Sequence, residues 1–382
     1  MSQPPKPTYC PALRMKKGEL EGVHQLATDV ADYVLPRFIV PPARERDATN
    51  PMLFEVEEMP DISVALGAHW QLRPVLIDAT HIINEYGKDR LAVWLPAMFE
   101  RARSNQVRAI PVALLTDLGE TEAAAFRAAI ATGERIKFAI CIPSGEWVEP
   151  EFYTTMSEAL NRLGLTPGDC AVLVDFGGSE FGDPAIVAPI ISDALETLQD
   201  FGSWQHIIFQ GTHYPETNPA EDGGVTIWSR NEWLAWQQAV KFDPTTAEHL
   251  TFGDYAADNA KMTFGDSRAP AIRHLRYTTP STWRIQRAVK SGPDAIRMYG
   301  VYRAIVESGE FAGSLFSEAD AYVARAVREL GAKPGNATTW RQLNTTHHIT
   351  QVVADIAKIH GIMIKRVAAN ELDTQLSLSD RF

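Results

Sequence analysis

Short apolar runs recur along the first two thirds of the chain, each ending in polar residues and followed by a stretch of helical spacing. The clearest is Cys170 to Gly178, CAVLVDFGG, where small and apolar residues run into Asp175, two glycines follow, and Pro184 opens a helical segment. An apolar run without alternation reads as a strand buried on both faces, with its polar groups at the C-terminal end. Further strands are expected at Tyr9–Leu13, Pro36–Val40, Pro74–Ile77, Val107–Leu115, Ile136–Ile142, His206–Gln210 and Leu250–Phe252. Helical spacing is expected at Gly18–Val34, Asp61–Trp70, Arg90–Ser104, Glu120–Gly133, Pro150–Leu163 and Pro184–Phe201, and in an aromatic helix holding Trp228, Trp233 and Trp236. Pro41–Pro51 is polar and proline-rich, a long loop.

Eight strands joined by helical crossovers predict a (β/α)8 barrel, because parallel neighbours cannot be connected by a tight turn. A doubly wound open sheet would want a glycine-rich phosphate fingerprint after its first strand. Here that turn, Arg14 to Glu19, holds a single glycine. The expected organisation is an N-terminal tail (1–8), a barrel (9–310) with an insertion (261–292) after the eighth strand, a C-terminal helical extension packed on it (311–370) and a loose end (371–382).

With 382 residues, 45% hydrophobic and 22% charged, the chain can bury a large core. No apolar run approaches the roughly 18 residues that span a bilayer, and the opening MSQPPKPTY lacks a signal peptide's apolar core. A cytoplasmic protein without membrane contact is therefore expected. Cys10, Cys141 and Cys170 lie far apart in apolar surroundings and read as buried thiols. The net charge of −12 argues against a surface that coats nucleic acid, while leaving room for a local basic site.

Several motifs recur in a telling order: Tyr9-x-Pro11-x-Leu13-Arg14-x-Lys16-x-x-Glu19, Asp175-Phe176-Gly177, Gly253-Asp254-Tyr255, Arg276-Tyr277 with Trp283 to Arg287, and Trp340 followed by His347-His348. Together they resemble the beta protein family of T-even bacteriophages and bacteria, over most of the chain. The resemblance implies a phage or mobile-element setting and a part in phage-host conflict, but no particular reaction. It also implies a proline and then a glutamate after the second strand, where this chain has Pro41-Pro42.

Chemistry in such a barrel belongs at the C-terminal ends of the strands. The residues there are Lys16, Glu19, Asp78, Asp175, Thr212, His213, Asp254 and Tyr255. Barrel closure predicts that Lys16 and Glu19 neighbour Asp254 and Tyr255. A lysine beside carboxylates could hold a phosphate while the acids hold a divalent cation, or serve only as an ion pair; a strand-end acid can equally cap the next helix.

Arg273 to Arg303 carries seven basic residues against Asp294, with Tyr277, Trp283, Tyr299 and Tyr302 interleaved. That mixture suits a nucleotide or short single strand, or else ties the insertion to an acidic barrel surface. Val352, Val353, Ile356 and Ile359 predict a helix from Ile349, capped by Thr345 or Thr346, with His347 and His348 in its first turn. Adjacent histidines do not share a helix face, so at most one should do the site's chemistry, and His348 is preferred for it. His69, His206 and His213 are lone and read as structural. There is no P-loop, HExxH, GxSxG or zinc-type spacing.

Two functions fit. One is an enzyme that binds a phosphorylated small molecule or nucleic-acid end and hydrolyses or transfers at phosphorus with Mg or Mn on Asp175 and Asp254. Glu19, Asp78, Asp175, Asp254 and His348 would do its chemistry, and Lys16, Thr212, Tyr255, Arg276, Tyr277, Trp283, Arg287 and His347 would contact the ligand. The other is a non-catalytic module that senses a ligand or docks a protein of phage or host.

Overall fold

The computed structural model describes residues 9–42, 61–177, 179–261, 272–329 and 332–365. The expected tails at 1–8 and 371–382, most of the Pro41–Pro51 loop, Gly178 and residues 262–271 of the insertion lie outside them. Eight parallel strands close into a barrel: β1 (Tyr9–Arg14), β2 (Arg37–Ile39), β3 (Pro74–Asp78), β4 (Arg108–Leu114), β5 (Phe138–Pro143), β6 (Cys170–Asp175), β7 (His206–Gln210) and β9 (Leu250–Asp254). The intervening helices are α1 (Lys17–His24), α2 (Thr28–Ala31), α3 (Ser63–His69), α4 (Thr80–Tyr86), α5 (Leu91–Ser104), α6 (Glu120–Ala129), α7 (Phe152–Leu163), α8 (Pro184–Phe201), α9 (Asn231–Phe242) and α10 (Thr246–His249). The expected (β/α)8 barrel is the observed architecture.

The apolar runs do two jobs, since successive side chains of a strand point to opposite faces. On β6, Ala171 and Leu173 join Cys10, Leu76, Ile110, Cys141 and Ile208 inside the barrel. Cys170, Val172 and Val174 belong to the larger core between strands and helices. All three cysteines are free and buried. Closure sets Pro11 of β1 opposite Asp254 of β9. It also requires Gly253, where a Cβ would lie 2.6 Å from the Cys10 carbonyl and 2.7 Å from that of Phe209.

A three-stranded antiparallel sheet stands beside the barrel, with β11 (Thr282–Arg287) between β10 (His274–Thr278) and β8 (Val225–Ser229). Here the structure corrects the expectation that Trp228 is helical. Val-Thr-Ile-Trp-Ser alternates as a strand does, and Trp228 pairs with Trp283 across β11. The expected Gly18–Val34 helix is likewise two, α1 and α2.

Helices α11 (Asp294–Val306), α12 (Glu318–Arg328) and α13 (Ala337–His360) enclose a second core with β10, built on Tyr277, Met298, Tyr302, Val323 and Leu343. α13 begins twelve residues before the expected Ile349, with the Asn336 side chain accepting from Thr339 N as its cap. His347 and His348 are therefore in mid-helix, and the dipole argument for a first-turn position does not apply to them. The polar run Asn344 to His348 suggested a helix start, yet these residues are buried because α13 is wedged between α1 and β10. Asn344 accepts from Arg276 N and Thr346 donates to the Gly22 carbonyl.

Candidate ligand site at the barrel mouth

Three carboxylate centres occupy the C-terminal end of the barrel. The first is organised by Arg37, at the start of β2. Its Nη2 lies 2.7 Å from Asp78 Oδ2, and its Nη1 lies 2.9 Å from Asp175 Oδ2 and 3.0 Å from Gln210 Oε1. Gln210 in turn donates to the carbonyls of Cys10 and Asp254. Tyr255 donates to Asp175 at 2.7 Å, and Gly177 N donates to the same oxygen at 2.8 Å. Burial opposes ionisation of Asp78, but Arg37 and the donors of Thr80 outweigh it and lower its pKa. Burial and then Asp175 push the Tyr255 hydroxyl well up.

The second centre is Asp254. Tyr9 donates to Oδ1 at 2.5 Å, Ala256 N donates to Oδ1 at 2.8 Å, and His348 Nε2 lies 2.8 Å from Oδ2. The other ring nitrogen of His348 is 2.8 Å from Thr278 Oγ1. Burial lowers the His348 pKa against the pull of Asp254, which favours the neutral imidazole; in that form Nε2 donates to Asp254 and Nδ1 accepts from Thr278. Against its own burial, Asp254 is lowered by His348, Tyr9 and the Ala256 amide. Nearby, Arg230 and Glu232 are wholly buried. Arg230 donates to the Thr279 carbonyl at 2.8 Å, but its Nε and Nη2 make no hydrogen bond among the described residues, nor does Glu232 Oε1. Burial pushes the Glu232 carboxyl up to about 8 despite Arg230.

The third centre, Asp258, lies nearest the surface. Arg341 of α13, Arg276 of β10 and Arg14 of β1 approach its two oxygens at 2.7, 2.8 and 3.1 Å. The three arginine side chains are 13% to 23% exposed, so solvent reaches the cluster. Burial resists ionisation of Asp258, but Arg341, Arg276 and Arg14 hold it well below the usual carboxylate range. Arg276 is fixed by the Tyr214 ring, 4.7 Å from its guanidinium carbon, and by His274 Nε2 at 3.0 Å from its Nε. Glu19 Oε1 is 3.6 Å from Arg341, and burial raises the Glu19 pKa although Arg341 and Arg14 oppose it. A close approach of α1 to α13 sets Arg341: a Cβ on Gly18 would lie 2.7 Å from the Arg341 Cβ.

The sequence-derived candidates thus divide. Of the four residues expected to meet across the β1–β9 closure, Glu19 and Tyr255 line one small cavity with Asp258 and Arg341, and Lys16 and Asp254 are not among its lining residues. Lys16 is the N-cap residue of α1, and Thr212 donates to the Asp258 carbonyl. Asp78 and Asp175 share Arg37, while Asp254 belongs with His348. The carboxylates of Asp175 and Asp254, expected to share a metal, have different hydrogen-bond partners, and among the described residues no three His, Cys, Asp or Glu are grouped to hold one.

His347 turns away from the mouth: Nδ1 is 2.9 Å from Asp320, Nε2 is 2.8 Å from the Thr278 carbonyl, and the ring stacks on Tyr277. Tyr277 and Trp283 are buried, so neither offers a ring face to a base. In the basic stretch only Arg276 reaches the mouth. Arg287 donates to the Ala220 carbonyl, Arg284 pairs with Glu310, Arg273 and Arg297 with Asp294, and Arg303 with Glu307.

Arg37 and Asp258 were not singled out from the sequence, and Arg14 and Arg341, although they lie within its motifs, were given no role. A charge inside the apolar run Pro36–Val40 was the available signal for Arg37. Roomier grooves, about 310 Å³ along α11 and α12 and about 330 Å³ at the foot of β7, touch none of the three carboxylate centres.

Among the described residues no helix is long and apolar enough to cross a membrane. Comparisons with curated proteins and with solved structures give no match. The Beta protein family model, however, matches residues 9–354, nearly the whole chain, and the protein belongs to that family.

Proposed function

We propose that the barrel mouth binds a phosphorylated ligand, a nucleotide or a nucleic-acid end, and works as a ligand-sensing module in phage-host conflict. The convergence of Arg14, Arg276 and Arg341 on the single carboxylate of Asp258 carries this reading. Guanidinium groups present forked donors that match phosphate oxygens, and the mouth of a (β/α)8 barrel is where such ligands are held. Sensing is favoured over hydrolysis because Asp78, Asp175 and Asp254 each spend their oxygens on Arg37, Tyr255, Tyr9 or His348. The phage-host setting is supported by the family alone.

A thermal-shift screen of nucleotides and short oligonucleotides tests the reading, since a ligand of the folded state raises Tm. A phosphate-bearing ligand should shift wild type and leave Arg341→Ala unshifted. A shift equal in both proteins would place the ligand elsewhere.

A further inference from the structure

Resting on the ligand reading above, we infer that Asp258 is a resident anion that keeps the place of a phosphate monoester. The ligand's dianion displaces the Asp258 carboxylate from the three arginines, and Tyr255–Lys261 moves with it.

Charge is the first argument. Among the described residues three guanidinium groups face the Asp258 carboxylate, an excess of two positive charges (three minus one) before Glu19 is counted. Glu19, 3.6 Å from Arg341, offsets at most one of those charges, and burial raises its pKa. A dianion in place of Asp258 compensates one more positive charge than the carboxylate does. A monoanion such as a phosphodiester or a free carboxylate gains no charge over Asp258, which is tethered and so has the advantage of a high effective concentration.

Space is the second. The cavity beside Asp258, lined by Arg14, Glu19, Tyr255, Arg341 and Thr345 among others, has a volume of about 10 Å³, enough for a single water. That cavity has no room for a phosphate beside the carboxylate, so a phosphate bound there takes the carboxylate's place.

Backbone conformation is the third. Ala256 and Ala257 have φ of 49° and 58°, left-handed values that residues with a Cβ rarely adopt. They are held there by Ala256 N donating to Asp254 and by Arg276 donating to the Ala257 carbonyl. The strained pair delivers Asp258 to the arginines, and withdrawal of Asp258 lets the strain relax. The arginines stay in place meanwhile, since Arg276 rests on Tyr214 and Arg341 on Glu19.

Isothermal titration of inorganic phosphate, AMP, a 5′-phosphorylated oligonucleotide and the same oligonucleotide without its 5′-phosphate into wild type and Asp258→Asn tests this. If Asp258 occupies the arginines nine-tenths of the time, its removal should tighten phosphate and AMP binding about tenfold. The oligonucleotide without its terminal phosphate should not bind. AMP binding alone would assign a free nucleotide, and binding of the 5′-phosphorylated strand alone would assign a nucleic-acid end; both support the monoester.

Phosphate binding that is lost in Arg341→Ala but no tighter in Asp258→Asn would overturn the displacement while leaving the ligand reading intact. Silence of every phosphate probe with both proteins would remove the ligand reading and the displacement with it. Should Asp258→Asn fold poorly, amide hydrogen exchange of wild type decides: phosphate should accelerate exchange across Tyr255–Lys261, and unchanged exchange at saturating phosphate contradicts displacement.

Discussion

Arg37 and Asp78 meet at the barrel mouth with Nη2 2.7 Å from Oδ2, and both are buried. The same guanidinium bonds Asp175 and Gln210, so one residue of β2 holds groups from β3, β6 and β7. Breaking a buried pair leaves uncompensated charge, so Arg37→Met should cost roughly 3–5 kcal/mol in urea denaturation. Arg37→Lys should recover little, since one ammonium lacks the fork that reaches three acceptors. Stability equal to wild type in Arg37→Met would refute this role.

Glu232 should make the fold weaker at alkaline pH. Its carboxyl is raised to about 8 in the fold, from an ordinary 4.5. The folded state therefore holds the proton more tightly than the unfolded one. This contribution is fully present below about pH 4.5 and is lost as pH rises toward 8, by at most a few kcal/mol. Glu232→Gln cannot ionise, so its Tm advantage over wild type should grow between pH 5 and pH 8.5. Parallel Tm curves would count against the assignment.

Asp254 has the opposite sign. Its pKa is lowered in the fold, so its stabilisation is present above the ordinary value of 3.8 and disappears as pH falls through the folded value. Asp254→Asn should lose roughly 1–3 kcal/mol at pH 7, because an amide cannot accept from Tyr9, Ala256 N and His348 together. The difference from wild type should shrink in acid, which denaturation at pH 7 and pH 3 would reveal.

Two glycines should respond in opposite directions. Gly18→Ala drives a methyl into Arg341 across the α1–α13 contact and should cost about 1–3 kcal/mol. A Cβ on exposed Gly300, inside α11, meets nothing within 4 Å, so Gly300→Ala should stabilise by about 0.5–1 kcal/mol. Thermal melts of both variants against wild type test the pair.

The barrel was legible because each of its strands is an apolar run, down to Leu250–Phe252, which becomes the closing β9. Local pattern failed where burial came from distant elements. Asn344 to His348 read as a helix start, because nothing nearby says that Gly22, Arg276 and Asp254 will satisfy those side chains. The basic stretch reads either as a nucleotide surface or as a set of ion pairs tying the insertion down, and its sheet and helix send most of its arginines to acids, Asp294, Glu310 and Glu307 among them. Asp258 lies three residues beyond the Gly253-Asp254-Tyr255 motif, and its importance comes only from Arg14, Arg276 and Arg341 meeting in three dimensions.

The most direct test is a crystal structure of the protein soaked with AMP. We expect a tetrahedral phosphate bonded to Arg14, Arg276 and Arg341, with the Asp258 carboxylate turned out of the cluster. Asp258 still seated between the three arginines in a crystal saturated with AMP, with no phosphate bound to them, would contradict the account.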